Sequence, residues 1–202
     1  MTTAEVSLPD SWMTRKFQWL GILPFLFFLA RVVEYVWIAR TPEQILWCCH
    51  ISNLLLAIGM VFWRPQLIRV AALWLLMGVP PWILDMAVSR LITPVSIISH
   101  LGGSLVALYA MSQIRAQKGS WIHALAYFLA LQQVTRLLTV PGPYTNVNVA
   151  HFAYGPWKDV VSQYWLYILI NSVLAAAALW LIELFLRLVF PAQSEPRKAR
   201  KD

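Results

Sequence analysis

The run Trp47-Cys48-Cys49-His50-Ile51-Ser52-Asn53 puts two thiols, an imidazole, a hydroxyl and an amide at the start of an apolar stretch. A polar group in hydrocarbon costs several kcal/mol when it finds no partner. So many polar groups in succession on one membrane helix point to a lined site. Cys49 is the candidate nucleophile, because a thiol attacks acyl carbonyls once a base or positive charge promotes its ionisation. Against this stands the packing of free cysteine as a small hydrophobe. Neighbouring residues of a helix diverge by about 100°. His50 is therefore expected to be a poor base for Cys49, and Cys48 is expected to face a third direction. His100, in Ser96-Ile97-Ile98-Ser99-His100-Leu101-Gly102-Gly103, is the better candidate. Its bland alternative is a histidine bonded to a neighbouring helix.

Other groups are chemically suggestive. Arg31 and Glu34 stand at i,i+3 and can pair on one helix face. Arg136 has Asp85 as a candidate partner. Unpaired, it would suit a lipid phosphate or carboxylate. Glu183 and Arg187, at i,i+4, read as a simple pair. A stretch rich in Pro, Gly, Asn and aromatics contains Asn146-Val147-Asn148, His151 and Phe152-Ala153-Tyr154-Gly155-Pro156-Trp157. It reads either as a membrane-surface loop or as a lid whose Asn side chains donate hydrogen bonds. Metal ligation by His50, His100 and His151 with the thiols is the less favoured reading. No histidine pair sits at i,i+4, and adjacent cysteines match no familiar zinc spacing. No metal or cofactor is expected, and the chain holds no phosphate loop, dinucleotide fingerprint or serine elbow.

These groups must be carried by membrane helices. The chain has 202 residues, 59% of them hydrophobic and only 12% charged, with a mean hydropathy of +0.62. A soluble domain is about a quarter charged, so composition alone implies an all-α polytopic membrane protein. Eleven Trp fit that class, since indole favours the membrane interface. The net charge of +7 does not indicate nucleic acid. Arg197, Lys198, Arg200 and Lys201 cluster in the tail, where anionic lipid headgroups are the expected partner. Two adjacent cysteines make no disulfide framework. The stretch before Trp12, with Glu5 and Asp10, lacks the pattern of a cleavable signal peptide.

A bilayer core takes about 20 apolar residues per helix. Six runs meet or approach that length: 17–38, 44–63, 67–85, 91–111, 121–139 and 163–189. They define a bundle over 17–190, between an N-terminal segment 1–16 and a basic tail 191–202, with a long loop at 140–162. With the N-terminus inside, the inner segments hold Arg15, Lys16, Arg64, Arg69, Arg115, Lys118, Arg187, Arg197, Lys198, Arg200 and Lys201. The outer segments hold Arg40, Arg90 and Lys158. That excess predicts cytoplasmic termini. It also places Arg31, Glu34, Cys49, His50, Asp85, His100, Arg136 and the long loop in the same outer half of the bilayer. A polar pocket opening towards the outer leaflet follows.

The order of a Cys-His pair early in a membrane helix, a later lone His, and an Asn-rich stretch running into Tyr-Gly-Pro-Trp resembles the transmembrane protein 164 family. Its animal members are membrane acyltransferases acting on ether phospholipids, and it has bacterial relatives of unassigned function. The resemblance runs from about Trp47 to Trp165. It implies Cys49 and His100 as a catalytic pair, and it matches Asn146, Asn148, Tyr154, Gly155, Pro156 and Trp157 to the loop motif. The family carries Asn-Pro before its Cys-His, where this chain has Trp47-Cys48. The similarly arranged androgen-induced hydrolases of fatty-acid esters use Thr and His.

The resulting expectation is an integral membrane lipid acyltransferase, or an acyl-ester hydrolase, in a bacterial inner membrane. Its substrate would be a phospholipid or lysophospholipid of the outer leaflet. Cys49 and His100 would be catalytic, with Arg136, Asn146, Asn148, Tyr154, Trp157 and His50 lining the substrate. Two other classes stay open: a lipid-binding or membrane-complex assembly subunit with no chemistry, and a carrier of a cofactor ligated by His50 and His100.

Overall fold

A computed structural model of the chain describes residues 11–89, 93–142, 145–152 and 163–191. The described residues form helices and connecting turns. Helix α1 is Ser11–Leu20, and α2 is Ile22–Val33, which runs on into a π-helical turn, Glu34–Ile38. A 3-10 turn, Pro42–Leu46, precedes α3, Cys48–Val61, and α4 is Pro65–Ser89. Next come α5, Pro94–Ile97, a second π turn at Ile98–Gly102, and α6, Gly103–Ile114. Helix α7 is Ser120–Leu138, followed by a 3-10 turn at Val147–Val149 and then α8, Tyr164–Val189.

Among the described residues, four stretches are long and apolar enough to cross a membrane: Arg15–Ile38, Pro65–Val88, Pro94–Ile114 and Tyr164–Val189. The chain is accordingly read as membrane-embedded. Helix α3 is apolar but has only 14 residues. Its predicted start at 44 moves to Cys48 because Pro42–Leu46 winds as a 3-10 turn and Trp47 is extended, at φ −54° and ψ 134°. Helix α7 is 19 residues long, but Ser120, His123, Gln132, Gln133, Thr135 and Arg136 dilute its apolar character. The outward faces of the spanning helices are themselves apolar. In the most apolar window of α8 only 17% is buried, and Trp165, Leu169, Val173, Leu174 and Leu188 are exposed. Hydrocarbon, not water, is the solvent such a face fits.

The core is built on α4, where Val70, Ala71, Ala72, Leu73, Trp74 and Leu75 are all buried. A helix hydrophobic on all sides belongs in the middle of a bundle, and α4 packs against α3, α6, α7 and α8. The Trp74 indole N–H donates to the Ala124 carbonyl at 3.0 Å. Helix α3 packs between α4 and α2.

Two charged side chains finish helix ends. The Glu183 carboxylate accepts from the backbone N–H groups of Gly119 (3.0 Å) and Trp121 (2.9 Å), at the positive end of α7. This corrects the sequence expectation, which paired Glu183 with Arg187. Arg69 donates to the carbonyls of Ile114 and Arg115 and to Gln117. It thereby satisfies acceptors that the C-terminal end of α6 leaves open.

Candidate functional site

The site is positioned by the first turn of α3. A helix start leaves its first backbone N–H groups without intrahelical partners. Here the missing cap comes from 100 residues further on, where Asn148 Oδ1 accepts from the Cys48 N–H at 2.8 Å. Asn148 Nδ2 donates to the Leu46 carbonyl (2.7 Å) and to Thr135 Oγ1 (3.1 Å). The loop pays for this reach in backbone geometry, because Asn148 and Val149 both take positive φ, 53° and 55°. A β-branched residue there is strained. Gln132 Nε2 holds the carbonyls of Asn148 and Val149, and the Tyr167 hydroxyl donates to the Val149 carbonyl as well. Asn146 closes the same loop on itself: its Oδ1 accepts from His151 N and its Nδ2 donates to the Phe152 carbonyl. Both donor hydrogens of Asn148 and one of Asn146 are thus used inside the protein.

On α3, Cys49 is half-buried, and His50 is buried at 2% exposure. Ser52 and Asn53, fully buried, turn back onto the Cys49 carbonyl. Asn53 Nδ2 also donates to the Ser99 carbonyl at 3.1 Å, tying α3 to the second π turn. Gly103 makes this crossing feasible, since a Cβ there would lie 2.4 Å from Asn53 Oδ1.

His100 sits within that π turn, a feature that recurs at functional sites. Its Nδ1 is 2.9 Å from the Ser96 carbonyl. A carbonyl only accepts, so Nδ1 carries the hydrogen and Nε2 keeps its lone pair. Trp82 stacks on the imidazole with centroids 4.7 Å apart and planes 6° from parallel. The Trp82 N–H donates to Ser96 Oγ, which also accepts from Arg31. Arg31, buried, forms the expected ion pair with Glu34, whose π turn also carries Tyr35 towards His50.

These contacts bring three donors together. Cys49 Sγ lies 3.7 Å from His50 Nδ1, and the ligand atoms of Cys49, His50 and His100 all lie within 4.8 Å of one another. The two imidazole centroids are 5.8 Å apart, edge to face. Angular divergence along a helix predicts that His50 turns away from Cys49. The structure corrects that reading, because the 100° divergence applies at Cα, and an imidazole is long enough to swing back over the preceding residue at a helix start. Zinc-like spacing is absent along the sequence because the cluster forms across two segments 50 residues apart.

Other expected members are elsewhere. Arg136 is exposed and stacks on Tyr164, its guanidinium carbon 3.4 Å from the ring centroid. Asp85 is exposed, and the two are not paired. His151 Nε2 is 2.7 Å from Thr139 Oγ1. That hydroxyl already gives its hydrogen to the Thr135 carbonyl, so His151 donates. Burial, and after it the Arg136 charge, hold the His151 imidazole below its ordinary pKa. Tyr154, Gly155, Pro156 and Trp157 lie outside the described residues. Residues not legible in the sequence include Trp82, Thr135 and Tyr167, whose roles depend on partners 13 to 18 residues away. Compared with family models, curated proteins and solved structures, the chain matches none.

Proposed function

We propose that the chain is a membrane acyl-transfer protein working through a thioester on Cys49, in six spans with cytoplasmic termini and with the site in the outer leaflet of a bacterial inner membrane. The observation that carries the reading is the half-buried Cys49 thiol 3.7 Å from an imidazole nitrogen, beside a second histidine, within a chain that presents apolar faces outward. Similarity in motif order to the transmembrane protein 164 family supports acyl chemistry. The Lys/Arg asymmetry supports the orientation.

The steps follow from the geometry. His50 Nδ1, in its acceptor tautomer, takes the Cys49 proton, and the sulfur attacks a lipid ester carbonyl. The positive N-terminal end of α3, which begins at Cys48, favours the developing oxyanion. Collapse breaks the ester C–O bond, and the departing alkoxide recovers the proton from His50. A lyso-lipid hydroxyl then gives its proton to His50 and attacks the thioester. The new ester forms, and the thiolate regains the proton. Water in place of the lyso-lipid gives hydrolysis.

The test is turnover of a labelled phospholipid by purified chain in vesicles. Cys49→Ser and His50→Ala are each expected to lower it by about 10²–10⁴, and the double variant to be little worse than either, because the pair acts as a unit. Cys48→Ser should retain activity. Equal turnover in the wild type and in Cys49→Ser would end the thioester reading.

A further inference from the structure

A thiol–imidazole pair needs one histidine, and this site has two. Both are buried, at 2% and 5% exposure, and both aim a ring nitrogen at the same sulfur region, with all three donor atoms within 4.8 Å. A tetrahedral ion with metal–sulfur near 2.3 Å and metal–nitrogen near 2.0–2.1 Å sets its donors roughly 3.4–3.6 Å apart. The Cys49–His50 separation of 3.7 Å already matches. The remaining donors close to that spacing with side-chain movements of roughly 1 Å.

The surroundings are those of a ligand set. A metal-bound histidine usually donates its other ring N–H to a carbonyl or carboxylate. His100 does this through Nδ1 to the Ser96 carbonyl, leaving Nε2 for a ligand. Trp82 fixes the plane of that ring. Asn53 clamps the carbonyls of Cys49 and Ser99, which locks the two ligand-bearing segments together. The nearby Arg31 charge is matched by Glu34, so an entering cation does not meet an uncompensated positive group. Half-burial of Cys49 leaves one approach open.

We propose that Cys49, His50 and His100 bind a thiophilic d10 cation, Zn2+ or Cu+. Binding replaces the Cys49 proton, which leaves to solvent, and no electron is transferred. One thiolate and two imidazoles select such ions over Mg2+ and Ca2+, which require oxygen donors. A cation held by the Cys49 sulfur takes the lone pair that acyl transfer uses, so metal occupancy switches off the thiol chemistry proposed above. The binding site itself stands on the donor geometry and does not depend on that chemistry.

The experiment uses the full chain in lipid nanodiscs, stripped with chelator. Binding of Zn2+, and of Cu+ under reductant, is measured by competition with a chromophoric chelator. One ion per chain is expected. Loss of an outer-shell partner alone typically costs 10–100-fold in affinity, so Cys49→Ser, His50→Ala and His100→Ala should each cost about 100-fold or more. Trp82→Leu should cost about tenfold, and Cys48→Ser nothing. A second readout needs no variant: Zn2+ or Cu+ should protect Cys49 of the wild type from maleimide, located by mass spectrometry, and Mg2+ should not. Absence of stoichiometric binding, affinity unchanged in Cys49→Ser, or equal protection by Mg2+ would each overturn the site. None of these outcomes depends on lipid turnover, so failure here and failure of the acyl-transfer reading remain distinguishable.

Discussion

Replacing Asn148 by Ala tests whether the 145–152 loop is a clamp on α3 or a substrate contact. Three losses follow from the structure. The cap on the Cys48 N–H disappears, which costs about 1 kcal/mol. Removal of Nδ2 leaves the Leu46 carbonyl and Thr135 Oγ1 short of a donor, for about 1–2 kcal/mol between them, since Leu46 is only half-buried. Alanine must also adopt φ 53°, for about 1–2 kcal/mol. The total is about 3–5 kcal/mol against a typical stability of about 5–15 kcal/mol. In a chain of this length that corresponds to a fall in Tm of roughly 6–20 °C. Thermal melting of purified protein in detergent measures it. Asn148→Gly should recover the backbone part, about 1–2 kcal/mol, and no more. If Asn148→Ala melts within about 2 °C of the wild type while its apparent affinity for a phospholipid falls, the clamp argument is refuted and the headgroup role returns.

Two further outcomes are expected. Gly103→Ala forces a Cβ to 2.4 Å from Asn53 Oδ1; overpacking of this kind costs about 1–3 kcal/mol, and loss of the Asn53 clamp should also raise the reactivity of Cys49 towards maleimide. His151, held below the ordinary histidine pKa of 6.5 by burial and by Arg136, binds fewer protons folded than unfolded. Its contribution to stability is therefore complete above pH 6.5 and declines as pH falls from there through the folded-state value. Melting temperatures at pH 7.5 and 5.0 should differ less in His151→Gln than in the wild type.

The helix limits were largely legible because they are set by local chemistry. Pro65 opens α4 at a position where its missing N–H does no harm, and the predicted 163–189 and 121–139 lie within a residue of Tyr164–Val189 and Ser120–Leu138. The start of α3 was not legible, since it depends on a cap supplied from Asn148. Nor were the π turns at Glu34–Ile38 and Ile98–Gly102, which apolar periodicity does not distinguish from α-helix.

The site itself was half legible, for a physical reason. Polar residues in an apolar span report that bonds must be made there, but not whether the partner is protein or ligand. Ser52, Ser99, Asn148 and the amide nitrogen of Asn53 resolve into protein bonds, each to a backbone group in a neighbouring turn or segment. Cys49, His50 and His100 do not resolve in that way. His100 has one ring nitrogen bonded and the other left over. His50, almost wholly buried, packs against the Tyr35 and His100 rings and reaches a thiol in a long contact. Lone pairs that converge on one point in a low-dielectric interior are unfavourable unless something electron-deficient or protic sits between them. A carbonyl carbon approached by a thiolate and a bound cation both satisfy that condition, and each requires the Cys49 sulfur. Cys49→Ser therefore removes both functions, while His100→Ala should abolish tight metal binding and leave the Cys49–His50 pair able to transfer an acyl group at a reduced rate. Measuring both activities in that one variant separates the two uses of the site: parallel loss to the level of Cys49→Ser would mean that His100 is as necessary to the chemistry as His50, contrary to the distances.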